Sequence, residues 1–241
     1  MRTDSAKKAR VKTCNEWKKK PLSHFTGLDL IMDNKKWKIP RTAAAKRYQR
    51  MRSVRFHLRT RGEGLKPGCT KPSAVKNRVN PGGATTVCAG IINGRIRLWH
   101  YLPSSTWSAK AAEALYRGPV AQALRRHRGS KRSYRILEDN DPTGYKSKLA
   151  QAAKEELKIA PIVFPAYSPD LNPLDFFVWA EVERRMAKQK VPKDETIKAY
   201  KARLRRTAMN IPAKIIRKAV ASIRTRAAAV AKARGGDIPR D

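Results

Sequence analysis

The order of apolar and polar runs predicts a mixed α/β sheet flanked by helices, and three observations carry that reading. Two β-rich runs, TTVCAGII and RIRLWHYL, are joined by Asn93-Gly94, a pair that tolerates the two positive φ angles of a type I′ hairpin. Two short apolar runs, SYRILED and IAPIVFP, alternate with helical patterns, which implies parallel crossovers in the second half of the chain. Far upstream, the burst LDLIMD opens the sheet.

Each element follows in order. The first twenty residues carry eight Lys/Arg against two acids; residues 1–24 read as a basic arm, solvated or a short helix, or as a linker remnant. LDLIMDNKKWKI predicts the first strand over 28–39. Residues 40–84, with Pro40, Pro67, Pro72, Pro81 and five glycines, read as a basic loop region holding a helix near Ala43–Val54. After the hairpin, Ser105/Thr106 can cap a helix whose apolar positions Ala111, Ala112, Leu115, Tyr116, Val120 and Leu124 run towards His127, with Gly118-Pro119 placed to kink it. Helical patterns over Tyr145–Leu157 and from Pro173 to Lys190 flank the last strand. Residues 191–241 form a basic C-terminal extension, fourteen Lys/Arg against four acids, with helices over Thr196–Met209 and Pro212–Ala233 that end at Gly235-Gly236.

Charge narrows the function. Among 241 residues, 55 Lys+Arg face 19 Asp+Glu, a formal charge of +36, and self-repulsion on that scale is relieved most readily by a polyanion, whose counterions are released on binding. Nucleic acid is the first partner to expect. No run of eighteen apolar residues and no apolar leader is present, so a soluble intracellular protein, without membrane association, is expected. Cys14, Cys69 and Cys88 never form a C-x-x-C pair, and the four histidines lack H-x₃₋₅-H spacing, which argues against a disulfide framework and a zinc site.

Three carboxylates sit at the ends of apolar strands: Asp33 after LDLIM, Asp139 after YRILE, and Asp175 in the first turn of the helix after APIVF and SPDLNP. Converging carboxylates repel unless a cation lies between them, and hard Mg²⁺ or Mn²⁺ ions take oxygen ligands and activate phosphodiester chemistry. Each acid also has a structural reading. Asp139-Asn140-Asp141-Pro142 suits an Asx turn, Asp175 suits the first turn of a capped helix, and Asp33 suits a strand end, with Asp29 an equally plausible member of the first strand.

These segments resemble a family. ILEDNDPTGYKS looks like the second-aspartate motif of the Tc/mariner superfamily of DDE/D transposases, and FPAYSPDLNPLDFFVW is similar to their third-acid motif. Thirty-five residues separate Asp139 from Asp175, one more than the family spacing. IMDNKKW resembles the first-acid motif, and GCTKPSAVKNRVNPGGATTVCAGIINGRI the segment that follows it. IPAKIIRKAVASIRTRAAAVAKARGGDI is similar to the C-terminal helix pair, so the likeness runs from Trp17 to Ile238.

The resemblance implies a ribonuclease H-like catalytic domain over residues 25–190. In it Asp33, Asp139 and Asp175 are the catalytic and metal-binding acids for two Mg²⁺ (or Mn²⁺) ions, which cleave DNA at transposon ends and join the freed 3′-hydroxyl to target DNA. Asp33 is preferred over Asp29 for its spacing to Trp37, while Asp170, Asn172 and Asp141 shape the turns around the acids. Asn34 stands where many relatives have Glu, and Gly144-Tyr145 near a common His. It further implies DNA as partner, the nucleus as location and, with only a basic arm before the first strand where relatives carry paired helix-turn-helix modules, a truncated or element-derived copy. Such a copy would act as a homodimer or with a separate DNA-binding subunit. A catalytically inactive, domesticated nucleic-acid-binding protein and a general metal-dependent nuclease are the alternatives.

Overall fold

A computed structural model describes residues 3–39, 84–103, 106–190 and 195–238. Residues 40–83, with Cys69 and the helix read near Ala43–Val54, lie outside the described residues. Five strands form one sheet in the order β3-β2-β1-β4-β5: β1 Leu30–Lys38, β2 Ala84–Ile92, β3 Arg95–Tyr101, β4 Tyr134–Leu137 and β5 Ile159–Pro161. The β1–β2 and β2–β3 pairs are antiparallel, whereas β1–β4 and β4–β5 are parallel. At the hairpin, Asn93 (φ 53°) and Gly94 (φ 68°) supply the two left-handed residues of a type I′ turn. The sheet is therefore mixed, with the antiparallel half first in sequence.

Helices cover both faces. Alternation along β1 sends Leu30 and Met32 into one core, with Leu98, Leu115, Tyr116, Leu124, Ile136 and Tyr145, and Ile31 into the other, with Trp37, Trp99, Trp179, Leu204, Ile216 and Val230. The first core is roofed by α3 Ala109–Leu115, α4 Ala121–Arg128 and α5 Lys148–Glu156. On the other face lie α1 Asp4–Trp17, α6 Trp179–Ala187, α7 Ile197–Met209, α8 Ala213–Ala221 and α9 Ile223–Lys232, while the single turn α2 Ser23–Thr26 adds Phe25.

Several elements differ from the sequence reading, each for a local reason. The cap of α3 is Ser108, whose hydroxyl accepts the Ala111 N–H, not Ser105/Thr106. Between α3 and α4 a π-helical turn, Tyr116–Val120, carries Pro119; widening the helix by one residue absorbs the missing N–H without a break. Tyr145 stays outside α5 because its buried ring packs on Trp107, centroids 4.8 Å apart, and Ser147 caps the helix instead. The C-terminal pattern splits into α8 and α9 at Ser222. Most consequential is α1: of arm and helix, the helix forms, and it is not solvated. Arg10, Thr13, Cys14 and Trp17 are buried along one stripe of it. Cys14 and Cys88 are free and buried, and no helix among the described residues is long and apolar enough to cross a membrane.

Candidate active site

β1 lies between β2 and β4, so its C-terminal half emerges next to the end of β4, its parallel neighbour. Asp33 stands on β1 opposite Ala89, Asp139 follows β4 by two residues, and Asp175 opens the π-helical turn Leu174–Val178 that leads into α6. All three line one cleft of about 850 Å³, together with Asn34, Trp107, Lys146 and Tyr167.

Each acid is set by its neighbours. Asp33 is buried, and the Trp179 indole N–H donates to its Oδ2 at 2.8 Å. Burial, and then the Asp175 and Asp139 carboxylates, push Asp33 well above the ordinary carboxylate range against that hydrogen bond. Burial likewise raises Asp139, partly opposed by the Asn140 N–H, which donates to Oδ1 at 2.6 Å. The preceding Glu138 is turned inward, where Lys154 Nζ (2.6 Å) and the Tyr116 hydroxyl donate to it. Asp141 closes an Asx turn: its oxygens accept the N–H groups of Thr143 and Gly144 and the Trp107 indole N–H. That fixes the Asp139–Gly144 loop as one wall of the cleft.

Asn172 does a comparable job on the other wall. Its Nδ2 donates to the Met32 carbonyl at 3.2 Å and its Oδ1 accepts the Leu174 N–H at 3.1 Å, while its carbonyl accepts the Asp175 N–H at 2.9 Å. One side chain thereby ties the residue before Asp33 to the turn that carries Asp175.

A hard divalent ion suits this donor set, three carboxylates on one cleft of which Asp33 is raised by the charge of the other two. Among the described residues, no three His, Cys, Asp or Glu side chains stand close enough to hold one ion. Asp33 and Asp139 instead each accept a protein donor, the Trp179 indole and the Asn140 amide.

Asp29 does not line the cleft. Its carboxylate takes Arg128 Nε, Lys131 Nζ and the Arg135 N–H at 2.6, 2.6 and 2.8 Å, so it anchors the start of β1 to the segment entering β4. Burial pushes its pKa up, but these donors outweigh it and hold the group below the usual range. A carboxyl depressed on folding stabilises above its unfolded pKa, and that contribution fades as pH falls through the lower folded value. Asp29→Asn should therefore cost about 2 kcal/mol at neutral pH, with the gap between parent and variant in urea melts closing as the solution is taken well below pH 4.

Among solved structures, the chain is similar over nearly its whole length to structures of Mos1 transposase. The catalytic domain of Mos1 mariner transposase matches with a TM-score of 0.70 at 16% identity, covering 99% of this chain and 98% of that one. The fold is that of the Mos1 transposase catalytic domain. Its complex with raltegravir and Mn matches equally well, TM-score 0.70 at 15% identity and 99% of both chains. A pre-cleavage Mos1 transpososome gives 0.72 at 18%, this chain spanning 65% of the longer Mos1 chain. No family model and no curated protein matches the sequence. The five-stranded sheet and its flanking helices are thus ribonuclease H-like, as in Mos1.

Within this Mos1-like fold, the residue that sequence reasoning missed is Arg10. Fully buried, it donates to both Asp170 carboxylate oxygens (2.9 and 2.7 Å), to Ser168 Oγ (2.7 Å) and to the carbonyls of Tyr167, Gly235 and Gly236. Asp170 is held from the other side as well, its carbonyl accepting Arg226 Nε at 2.7 Å. Gly235 (φ 80°) is required there, since a Cβ would meet the Lys7 carbonyl oxygen at 2.5 Å. Helix α1, the SPDLNP loop and the Gly-Gly end thus close on one guanidinium. A sequence signal existed: Arg10 shares a helical stripe with Cys14 and Trp17, but in so basic a segment an arginine reads as solvated.

Proposed function

We propose that this chain catalyses metal-dependent DNA cleavage and strand transfer of the DDE/D transposase type, acting on DNA in the nucleus. The observation that carries the reading is the meeting of Asp33, Asp139 and Asp175 at one cleft of a Mos1-like sheet. Asp33, Asp139 and Asp175 would hold the Mg²⁺ or Mn²⁺ ions, which, when bound, activate the attacking water or 3′-hydroxyl and stabilise the leaving oxygen. Mos1 paired-end complexes have been solved with Mn and with Mg, which supports a divalent ion for a fold of this kind. The chain's own residues supply the rest. Trp179 orients Asp33, Asn172 couples β1 to the Asp175 turn, and the Asp141 turn holds the wall beside Asp139. Lys146, at the cleft, is placed to attract a phosphate without contributing a metal ligand.

One observation favours a second reading, a DNA-binding protein without chemistry: the three acids do not form a closed ligand set as they stand. A plasmid assay separates the two. Supercoiled DNA incubated with the protein in Mg²⁺ should be nicked, and linear DNA bearing free 3′-hydroxyl ends should yield joined products. Hydrolysis without joining identifies a nuclease, and binding without cleavage the inactive protein.

A further inference from the structure

A second cleft, of about 410 Å³, opens between α6 and α7. Arg185 and Lys188 line it from the end of α6, Arg203 and Arg206 from α7, with Gln189 and Thr207 between them; among the described residues no carboxylate is in its lining. Two carboxylates stand behind two of the cations. Glu181 holds Arg185 Nε at 2.6 Å, and Glu195 grips Arg203 through paired 2.7 Å bonds. Lys188 and Arg206 are exposed and add charge beyond those pairs. The walls are cross-linked, since Gln189 Nε2 donates to Thr207 Oγ1 at 2.8 Å and Arg203 Nη1 faces Gln189 Oε1 at 3.4 Å. The Gln189–Thr207–Arg203 part of the cleft is therefore fixed before an anion enters, and only the exposed Lys188 and Arg206 remain to be ordered.

We propose that this cleft is a binding site for the phosphate backbone of duplex DNA. Four cationic groups on two helices, two of them held by carboxylates behind the cleft and two, Lys188 and Arg206, exposed at it, suit a run of phosphates better than a single small anion. Its place in the fold suits the same partner. Lys188 lies thirteen residues after Asp175 along the π turn and α6, about 20 Å at helical rise, which is about six base pairs of duplex. One duplex longer than that can reach both the acids and the cleft. The site rests on the DNA reading of the carboxylate cleft and adds a backbone clamp to it.

The test uses binding alone, in EDTA, so that cleavage plays no part. Duplex affinity is measured against salt for the parent, for Lys188→Gln/Arg206→Gln, and for a control, Arg132→Gln/Lys218→Gln, which removes the same charge from exposed positions elsewhere. Each phosphate contact contributes about 0.9 to the slope of log K against log salt. The cleft variant should lose about 2 from that slope, and the control distinctly less. Equal losses in the two variants overturn the site. Loss of inorganic phosphate binding in the cleft variant with the DNA slope of the parent also overturns it, assigning the cleft to a free anion. A parent that binds no duplex at all refutes the broader DNA reading instead.

Discussion

Asp139→Asn and Asp175→Asn are each expected to lower the Mg²⁺-dependent nicking rate by at least about a thousandfold, roughly 4 kcal/mol of barrier, while duplex affinity stays the same or rises. Asn keeps the size of Asp, and at position 139 it keeps an oxygen able to accept the Asn140 N–H now bonded at 2.6 Å. What it removes is the negative charge that a divalent ion needs. The same change removes repulsion of phosphates at the cleft, hence the direction for affinity. Nicking of supercoiled plasmid, read beside fluorescence anisotropy on a labelled duplex, separates the two quantities. Equal cleavage by parent and variants would place the chemistry at other residues.

Arg10→Ala is expected to cost about 3–5 kcal/mol, because it strands a buried Asp170 rather than simply deleting a bond. In a chain of this size that lowers Tm by about 10 °C. Replacing both partners, as Arg10→Met/Asp170→Leu, should cost less than the single change, since no uncompensated charge is then left inside. The loop that Arg10 holds also carries Asn172 and leads into Asp175, so the single variant should cleave more slowly even well below its melting point. Thermal melts of the three proteins, with nicking measured at low temperature, test both statements. A melting point unchanged in Arg10→Ala would mean that the clasp carries little of the fold's stability.

The sheet was legible in the sequence where local chemistry and burial agree. Asn93-Gly94 dictates its turn whatever surrounds it, and the strands from LDLIMD and SYRILED are short apolar runs ended by polar residues. The meeting of the acids in one cleft was legible for a topological reason: parallel pairing of β1 with β4 puts Asp33 and Asp139 at the same edge. Long-range polar partners were not. Nothing near Arg10 in the chain announces Asp170, 160 residues away, and nothing near Asn172 announces the Met32 carbonyl. Asp29 and Asp33 differ by four positions on one apolar run. Only the cationic neighbours Arg128 and Lys131, brought in by the crossover, mark Asp29 as an anchor. The π turn at Pro119 was hidden too, because sequence shows where a helix is strained but not which relaxation it takes.

The most direct test of the acid cleft is Mn²⁺ binding, read by electron paramagnetic resonance with the protein bound to a duplex, across the parent and the Asp33→Asn, Asp139→Asn, Asp175→Asn and Asp29→Asn variants. The account predicts protein-dependent Mn²⁺ binding in the parent, unchanged in Asp29→Asn and lost or strongly weakened in each of the other three. Undiminished binding in those three, or none in the parent, would contradict it.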